Sequence, residues 1–300
     1  MLAQQLLNWA TMGCLYALFA LGFSLIFGIL KVIHFSHGDV AMTAPFLCLA
    51  LLHFVSAPGA APALLAVAVL VLAVAAVGGL GWGLDRTIIR RFRDAPPLMA
   101  LVATVALGIM VREAIRHLYP EGSNPHAFPN IAPGASLTGK EGAGSLALTI
   151  IAATALISGL LYLFLYRTKI GLRTRAVSED PVVARILGIK DGQVFGATFF
   201  IASAIGATAA VLMSSYVGMA RFDFGILVGL LGFSAAVIGG LGSMPGAIVG
   251  GLIIAGVETL AQSVIPGATP YRLALVFGLV MLVLIVRPTG LFGRALIEKV

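Results

Sequence analysis

Long apolar runs separated by short polar segments make up most of this chain. The runs lie at approximately 6–30, 39–56, 61–84, 97–118, 145–166, 193–217, 225–242, 246–264 and 270–286. Most are close to the roughly 20 residues that an α-helix needs to cross about 30 Å of hydrocarbon. The pattern therefore predicts an all-α fold: a polytopic transmembrane helix bundle of about eight or nine spans, with residues 1–300 forming a single membrane domain.

Composition and charge support this class and predict an orientation. Apolar residues make up 60% of the chain and charged residues 10%, and a mean hydropathy of +1.05 excludes an ordinary soluble domain. If the odd-numbered runs descend inward, one side receives Lys31, Arg86, Arg90, Arg91, Arg93, Arg167, Lys169, Arg173, Arg175, Arg185, Lys190, Arg287, Arg294 and Lys299. Positive charge favours the cytoplasmic side, so we expect an outside N-terminus, a cytoplasmic C-terminus and no nucleic-acid partner. The opposite side would carry the charge-poor connection 119–145, predicted to be irregular.

The charged segment 171–190 carries the signals of a short helix. Asp180 can cap its start, Pro181 suits the first helical position, and Gly188 can adopt the left-handed conformation that ends a helix. One face of this helix would carry Val183, Ile186 and Leu187. About two turns are too short to be stable alone, so the helix needs a surface to lie on. That surface is either lipid headgroups, which the nearby arginines would meet, or a groove on a protein partner.

The first polar interruption is the segment 28–39, which contains His34, Ser36, His37 and Asp39. Polar groups at membrane depth must face protein or water, so the segment is a helix break that lines a transport path or a tight cytoplasmic turn. The two histidines with the aspartate also resemble metal ligands, and a serine beside a histidine resembles a nucleophile and its base. Neither set is complete, and no GxSxG or HExxH motif supports it. We therefore expect neither a metal site nor a catalytic residue here.

The second interruption is the segment 238–247, in which glycine and proline break a hydrophobic stretch. Broken helices at corresponding positions of two halves are typical of a transporter's substrate path. A weak internal similarity supports this reading, because Gly-Phe-Ser occurs at 22–24 before the first interruption and again at 232–234 before the second. A plain turn between two helices is the alternative.

Few ionisable residues fall inside the apolar runs. Glu258 lies well within the eighth run, where a charge indicates a functional site or the interior of the bundle, and Arg272 is its expected partner. The outer ends of other runs carry residues that we interpret as interface anchors without a functional role: Arg112, Glu113, Arg116 and Arg221.

No phosphate-binding GxxxxGK[ST] motif is present, so energy for transport would come from an ion gradient or from a partner. Six motifs occur in order: Tyr16-Ala17-Leu18 with Gly22-Phe23; Val32-Ile33-His34-Phe35-Ser36-His37-Gly38-Asp39; Asp85-Arg86 with Arg90 and Arg93; Ala176 through Gly188-Ile189; Gly239-Gly240-Leu241-Gly242-Ser243-Met244-Pro245-Gly246-Ala247; and Arg287-Pro288-Thr289-Gly290-Leu291. Through them the chain resembles, nearly end to end, the membrane permease subunits of high-affinity branched-chain amino acid importers of the ATP-binding cassette class.

The resemblance implies that residues 167–192 form a cytoplasmic coupling loop that docks onto an ATPase. Its residues would be Arg173, Ala176, Glu179, Asp180, Ala184 and Gly188, with Ala184 and Gly188 in the places of the short Ala…Gly signature of such permeases. The implied partners are two cytoplasmic ATP-binding subunits, a homologous second permease and a periplasmic or extracellular substrate-binding protein. The chain itself would bind no cofactor, since ATP is used by the partner subunits, and it would lie in a bacterial inner membrane.

The expected function is therefore import of leucine, isoleucine, valine or related small amino acids by alternating access, without chemistry on the substrate. The predicted path residues are His34, Phe35, Ser36, His37, Asp39, Gly239, Gly240, Gly242, Ser243 and Glu258. The family usually has Asn-Phe-Ala-His-Gly-Glu where this chain has residues 34–39, and many relatives carry a lysine near Leu231. These departures leave the substrate open to urea, short amides or other amino acids. A gradient-driven secondary transporter is the alternative of a different class.

Overall fold

A helix that is apolar on every side forms the centre of the molecule. The computed structural model describes residues 2–55, 63–93, 95–131, 143–264 and 269–293. Helix α1 (Leu2–Leu30) is buried continuously from Leu15 to Ile26, as expected for a helix without a polar face. It packs against α9 (Asp191–Val217), α10 (Phe224–Gly239) and α11 (Met244–Val264). The core of the bundle therefore surrounds α1.

The remaining elements complete an all-α bundle around that core. They are α2 (His37–Ala41), α3 (Thr43–Val55), α4 (Ala63–Thr87), a 3₁₀ turn (Ile89–Phe92), α5 (Pro97–Leu118), α6 (Ala143–Arg167), α7 (Lys169–Glu179), α8 (Pro181–Ile186), a second 3₁₀ turn (Thr269–Tyr271) and α12 (Arg272–Val286). Each of the nine predicted apolar runs corresponds to a helix, which confirms the predicted fold class.

Six helices in the described part of the chain are long and apolar enough to cross a membrane. They are Leu2–Leu30, Val67–Thr87, Leu98–Leu118, Gly144–Arg167, Asp191–Val217 and Met244–Ser263. The other three predicted spans form shorter helices of 13, 16 and 15 residues, namely α3, α10 and α12. The protein is thus a multi-pass membrane protein in which three apolar helices are shorter than the bilayer core requires.

The basic loops lie together at one end of the bundle, which we call the basic face. The end of α1 meets the turn between α10 and α11 where Gly28 contacts Gly242. Arg90, after α4, lies beside Gly192 at the start of α9, and α7 contacts α1. The predicted clustering of these loops on one side is confirmed for the described residues, while Arg294 and Lys299 fall outside them.

The opposite end carries the connection predicted to be irregular. Its described part contains a short strand, β1 (His126–Ala127), which pairs antiparallel with β2 (Met219–Ala220) after α9. The Phe128 N–H extends this pairing by donating to the Gly218 carbonyl at 3.0 Å. The prediction was wrong only for the residues of this strand, because two residues of pairing give no alternating pattern to detect. Residues 119–125 and 128–131 form turns and irregular structure as predicted, and residues 132–142 lie outside the described residues.

Candidate transport path and coupling surface

The chain reverses direction after α1 and re-enters the bundle. Helix α1 ends at Leu30, Lys31 adopts a φ of 55°, and α2 then runs back along α1. A side chain at Gly22 would collide with the His37 imidazole, and one at Gly206 would lie 2.9 Å from its Cε1. Glycines on α1 and α9 therefore make the room in which His37 is buried. The first polar interruption is a helix break inside the bundle, not a surface turn.

Asp39 lies in a second close contact, between α5 and α10. A Cβ at Gly108 would be 2.6 Å from its Oδ2, and one at Gly225 would be 2.7 Å from its Cα. Arg112 Nε approaches Asp39 Oδ1 at 3.5 Å, and their side chains are 17% and 6% exposed. Arg112 is therefore not the interface anchor that the sequence indicated. Its place four residues after Gly108 puts it on the same face of α5, next to Asp39.

The break contains buried polar atoms without a hydrogen-bond partner in the described part of the chain. They are His34 Nδ1, His37 Nε2, Asp39 Oδ1 and Arg112 Nε. Buried polar groups are nearly always hydrogen-bonded in native proteins, and each unpaired one costs about 1–3 kcal/mol. Asp39 Oδ1 and Arg112 Nε face each other at 3.5 Å, so the hydrogen-bonding capacity left unused in the re-entrant segment is that of the two histidine nitrogens.

The geometry favours binding over catalysis. Ser36 Oγ and His34 Nε2 are 3.0 Å apart, but the other nitrogen of His34 has no partner among the described residues, and a serine nucleophile needs its histidine oriented by a third group. Asp39 lies against Arg112 instead. Within the described residues no three or more His, Cys, Asp or Glu side chains are placed to hold a metal ion.

Phe35 joins the break to α10. Its ring lies 5.3 Å from that of Phe233, which is 5.9 Å from Phe23 on α1, and its N–H approaches the Thr104 hydroxyl of α5 at 3.3 Å. The Gly-Phe-Ser repeats at 22–24 and 232–234 thus meet through their phenylalanines. This contact fits the internal similarity seen in the sequence.

The second interruption forms a tight turn at the basic face. Gly240 and Gly242 have φ values of 100° and 87°, in the left-handed region that favours glycine. Ser243 N–H donates to the Gly240 carbonyl at 3.0 Å, and the Ser243 hydroxyl accepts from Gly246 N–H at 3.2 Å. The backbone groups that the turn leaves free are thus partly used within the turn itself.

The segment after α12 uses two more of those groups. Leu291 N–H donates to the Ile238 carbonyl and Phe292 N–H to the Gly239 carbonyl, both at 2.9 Å. Gly290 packs directly against Gly240, where a Cβ would lie 2.6 Å from its Cα. Two of the sequence motifs therefore meet in space. No local pattern in the sequence indicates this pairing.

Glu258 contacts α1 further from the basic face than the 34–39 break does. The Tyr16 hydroxyl donates to Glu258 Oε2 at 2.7 Å, and Arg272 Nε lies 3.3 Å from Oε1, which confirms the predicted pairing of Glu258 with Arg272. The Glu258 side chain is 5% exposed. These contacts join α1, α11 and α12, and α12 otherwise buries only Val276.

Helix α1 shows how the predicted path residues are distributed. Gly242 meets α1 at Gly28, His37 meets it at Gly22, and Glu258 meets it at Tyr16. Each step of six residues is about 9 Å along a helix. The structure thus brings His34, Phe35, Ser36, His37 and Asp39 together, and it separates them from the 239–243 turn on one side and from Glu258 on the other.

The predicted coupling loop forms two helices, α7 and α8, on the basic face. The Asp180 carboxylate caps α8 by accepting from Val182 N–H at 2.9 Å and Val183 N–H at 3.0 Å. Pro181 is the first helical residue, and Gly188 has a φ of 79°. The predicted short helix and its signals are confirmed, but α7 was not predicted.

Helix α8 contacts the bundle through a small residue and turns its large ones outward. Ala184 is buried at 2% exposure in a cluster with Ile29, Val177, Val194 and Phe195. Ile186 is 79% and Leu187 72% exposed. The other predicted coupling residues line the same loop, with Arg173, Glu179 and Gly188 exposed and Ala176 half-buried. We call the exposed apolar side of α8 the coupling surface.

Comparison with known proteins places the chain in a family. Residues 5–286 match the family described as the branched-chain amino acid transport system / permease component. The chain is 32% identical to the high-affinity branched-chain amino acid transport system permease protein BraD of Pseudomonas aeruginosa, over 99% of this chain and 97% of that protein. It is 33% identical to the permease proteins named LivH of Salmonella typhimurium and Escherichia coli, with the same coverage. The chain therefore belongs to the family of branched-chain amino acid transport system permease components.

Proposed function

We propose that this chain is the membrane-spanning permease subunit of an ATP-binding cassette importer that moves leucine, isoleucine, valine or related small amino acids into the cytoplasm. The observation that carries this proposal is the coupling surface. Ile186 and Leu187 are large, apolar and exposed at the end of a helix whose small residue, Ala184, is seated in the bundle. Exposed apolar groups of this kind on a basic loop fit a groove on a protein partner.

The partners follow from the same arrangement. The basic face would lie in the cytoplasm, because positively charged loops favour that side, and the N-terminus would then lie outside. Two ATP-binding subunits would dock on the coupling surfaces of this chain and of a homologous second permease. A binding protein outside the cell would deliver the substrate, and the chain would bind no cofactor and perform no chemistry itself.

The substrate path would run beside α1, with the 34–39 break at its middle. Movement of α8 would reach the break through the end of α1, since Ala184 and Ile29 share one buried cluster and the 34–39 break begins five residues after Ile29. A gradient-driven transporter would need an intramembrane carboxylate free to bind the coupling ion. Asp39 and Glu258 each lie against an arginine, which weighs against that alternative.

The test is purification of the chain with its native partners, followed by ATP-dependent uptake of labelled leucine into vesicles. We expect ATPase subunits to co-purify. Leucine should accumulate only when ATP is supplied on the side of the vesicle membrane that carries the ATPase subunits. Co-purification of ATPase subunits without leucine uptake would support the importer class and would direct the substrate search to urea, short amides or other amino acids. Uptake that follows an ion gradient and ignores ATP would contradict the proposal.

A pair of variants tests the coupling surface directly. Ile186→Asp should abolish ATPase co-purification, because a charge replaces an apolar side chain that is 79% exposed while the bundle is untouched. Leu118→Asp is the matched control, since Leu118 is 84% exposed at the end of α5 that lies away from the basic face. Equal ATPase binding by both variants and the wild type would refute the assignment of α8.

A further inference from the structure

A buried ion pair lies at the basic face, outside the re-entrant break. Asp85 is in the last turn of α4, and Arg93 follows the 3₁₀ turn that comes after α4. An N–H of the Arg93 guanidinium donates to Asp85 Oδ1, and the two side chains are 13% and 4% exposed. Separating a buried pair of this kind is costly, so Arg93 is held firmly to the end of α4.

The same guanidinium also contacts the start of α9. Its central carbon lies over the Phe195 ring, 3.7 Å from the ring centre, and Phe195 is the fifth residue of α9. The planar guanidinium of an arginine can lie on a ring while its N–H groups bond a carboxylate, which a lysine ammonium cannot do. Arg93 therefore joins α4 to α9 through one side chain.

Phe195 connects this contact to the coupling surface. It belongs to the buried cluster that seats Ala184 of α8, and only the short link 187–190 separates α8 from α9. A displacement of α8 would therefore move Phe195. The Arg93 Nε is buried and has no hydrogen-bond partner in the described part of the chain, so the fold leaves part of this guanidinium unbonded.

Helix α9 continues from this contact to the re-entrant break. The Phe199 ring lies 5.2 Å from the His34 ring, and a Cβ at Gly206 would be 2.9 Å from His37 Cε1. Helix α4 packs against α9, so closely that a side chain at Gly81 would overlap α9. Packed protein interiors transmit displacement, so a shift of α4 and α9 together would reach both histidines.

Resting on the proposed function, we propose that Arg93 is a positioning residue that couples α8 to the substrate path. Because Arg93 holds α9 to α4, a displacement of α8 shifts both helices beside the break instead of tilting the start of α9 alone. Without this contact the ATPase subunits would still dock and hydrolyse ATP, but less of the movement would reach His34 and His37. More ATP would then be hydrolysed for each leucine imported.

The first experiment measures that ratio in Arg93→Lys. Lysine keeps a positive charge beside Asp85 and lacks the plane that lies on Phe195. Arg91→Lys is the matched control, since it makes the same change at an exposed position of the preceding 3₁₀ turn. Each variant is assembled in vesicles with the native ATPase, second permease and binding protein, and ATP hydrolysis and leucine uptake are measured on the same preparation. We expect the ATP hydrolysed per leucine to rise at least about threefold in Arg93→Lys only, because single residues in coupling networks change coupling by about two- to thirtyfold.

A second experiment changes the other side of the contact. Phe195→Leu keeps an apolar side chain in the buried cluster and removes the ring, whereas Phe200→Leu makes the same change at a position of α9 that is 40% exposed. We expect the ratio to rise in Phe195→Leu and not in Phe200→Leu. The double variant of Arg93→Lys with Phe195→Leu should be no worse than either single variant, because both changes remove one shared contact. If Arg93→Lys does not assemble, the Phe195 and Phe200 pair decides the question.

The contrary outcomes are distinguishable. If the wild-type complex imports leucine and neither Arg93→Lys nor Phe195→Leu changes the ATP hydrolysed per leucine, the coupling role of Arg93 is wrong and the proposed function stands. A proportional loss of uptake and hydrolysis has the same meaning, because a contact that only supports the fold lowers the number of active complexes. Additive effects in the double variant would also overturn the role, since the two side chains would then act separately. A wild-type complex without ATP-driven leucine uptake would overturn the proposed function, and the coupling role with it.

Discussion

The two interruptions of the apolar runs, one polar and one rich in glycine, differ in structure. The 34–39 break lies inside the bundle and leaves His34 Nδ1 and His37 Nε2 buried without a hydrogen-bond partner among the described residues. The 239–243 turn lies at the basic face and uses its backbone groups on Ser243, Gly246 and the segment after α12. Glycine allows close approach in both places, but among the described residues only the break has buried side-chain nitrogens without a hydrogen-bond partner.

This difference separates a binding role from a structural role. Polar groups that are buried and unpaired lower the stability of the fold, and such costs in native proteins are concentrated at functional sites. Glycine density alone carries no such information, because it is equally typical of helix packing in membranes. The comparison predicts that changes at the break impair transport, and that changes at the turn impair only stability.

The largest effect is expected from Asp39→Asn. It leaves Arg112 buried without its opposite charge, and breaking a buried ion pair in this way costs about 3–5 kcal/mol. We expect at least about a tenfold loss of ATP-dependent uptake per folded molecule and a lower melting temperature in detergent. Asp223→Asn is the control, since its partner Arg221 is 42% exposed. If the Asp39→Asn variant took up substrate at the wild-type rate, the assignment of the 34–39 break to the substrate path would be wrong.

Gly22→Ala tests whether His37 must lie against α1. The added Cβ would overlap the imidazole, and overpacking of a core costs about 1–3 kcal/mol. We expect loss of folded protein, measured by size-exclusion chromatography, while Gly79→Ala, with no atom within 4 Å of its Cβ, stays normal.

The double variant Gly22→Ala with His37→Ala separates packing from function. Removing the imidazole relieves the overlap, so folding should recover. Uptake should remain low if His37 faces the substrate. Recovery of both properties would show that His37 only fills space.

The sequence predicts features that depend on neighbouring residues better than contacts between residues far apart in the chain. The apolar helices and the Asp180 cap of α8 rest on neighbouring residues and were predictable from apolar runs and capping signals, whereas the polar helix α7 was not predicted. The pairing of Glu258 with Arg272 could be proposed, because charges are so rare inside these runs. The Asp39 and Arg112 contact joins residues 73 positions apart, and Arg112 near a helix end looks like any snorkelling arginine. No local pattern records such a contact, nor the one between Gly240 and Gly290.

A smaller effect is expected from Gly240→Ala in the turn. The φ of 100° is strained for any side chain, and residues in such conformations cost about 1–3 kcal/mol. We expect a lower melting temperature and a lower yield, with uptake per folded molecule unchanged. An uptake defect in well-folded Gly240→Ala protein would place the turn on the path after all.

The smallest effect, Ser243→Ala, gives the sharpest contrast because Ser36→Ala makes the same chemical change at the break. The Ser243 hydroxyl accepts one hydrogen bond, from Gly246 N–H, which is worth about 0.5–1.5 kcal/mol. In Ser243→Ala the melting temperature should therefore drop slightly, and uptake should stay within about twofold of wild type. Ser36 is fully buried, and among the described residues its hydroxyl contacts the His34 ring, so its loss frees a second nitrogen of that buried histidine. Uptake should then fall further than stability does. Equal uptake in the two variants would mean that unpaired polar atoms do not distinguish the break from the turn, and the assignment of the path would have to rest on the coupling surface alone.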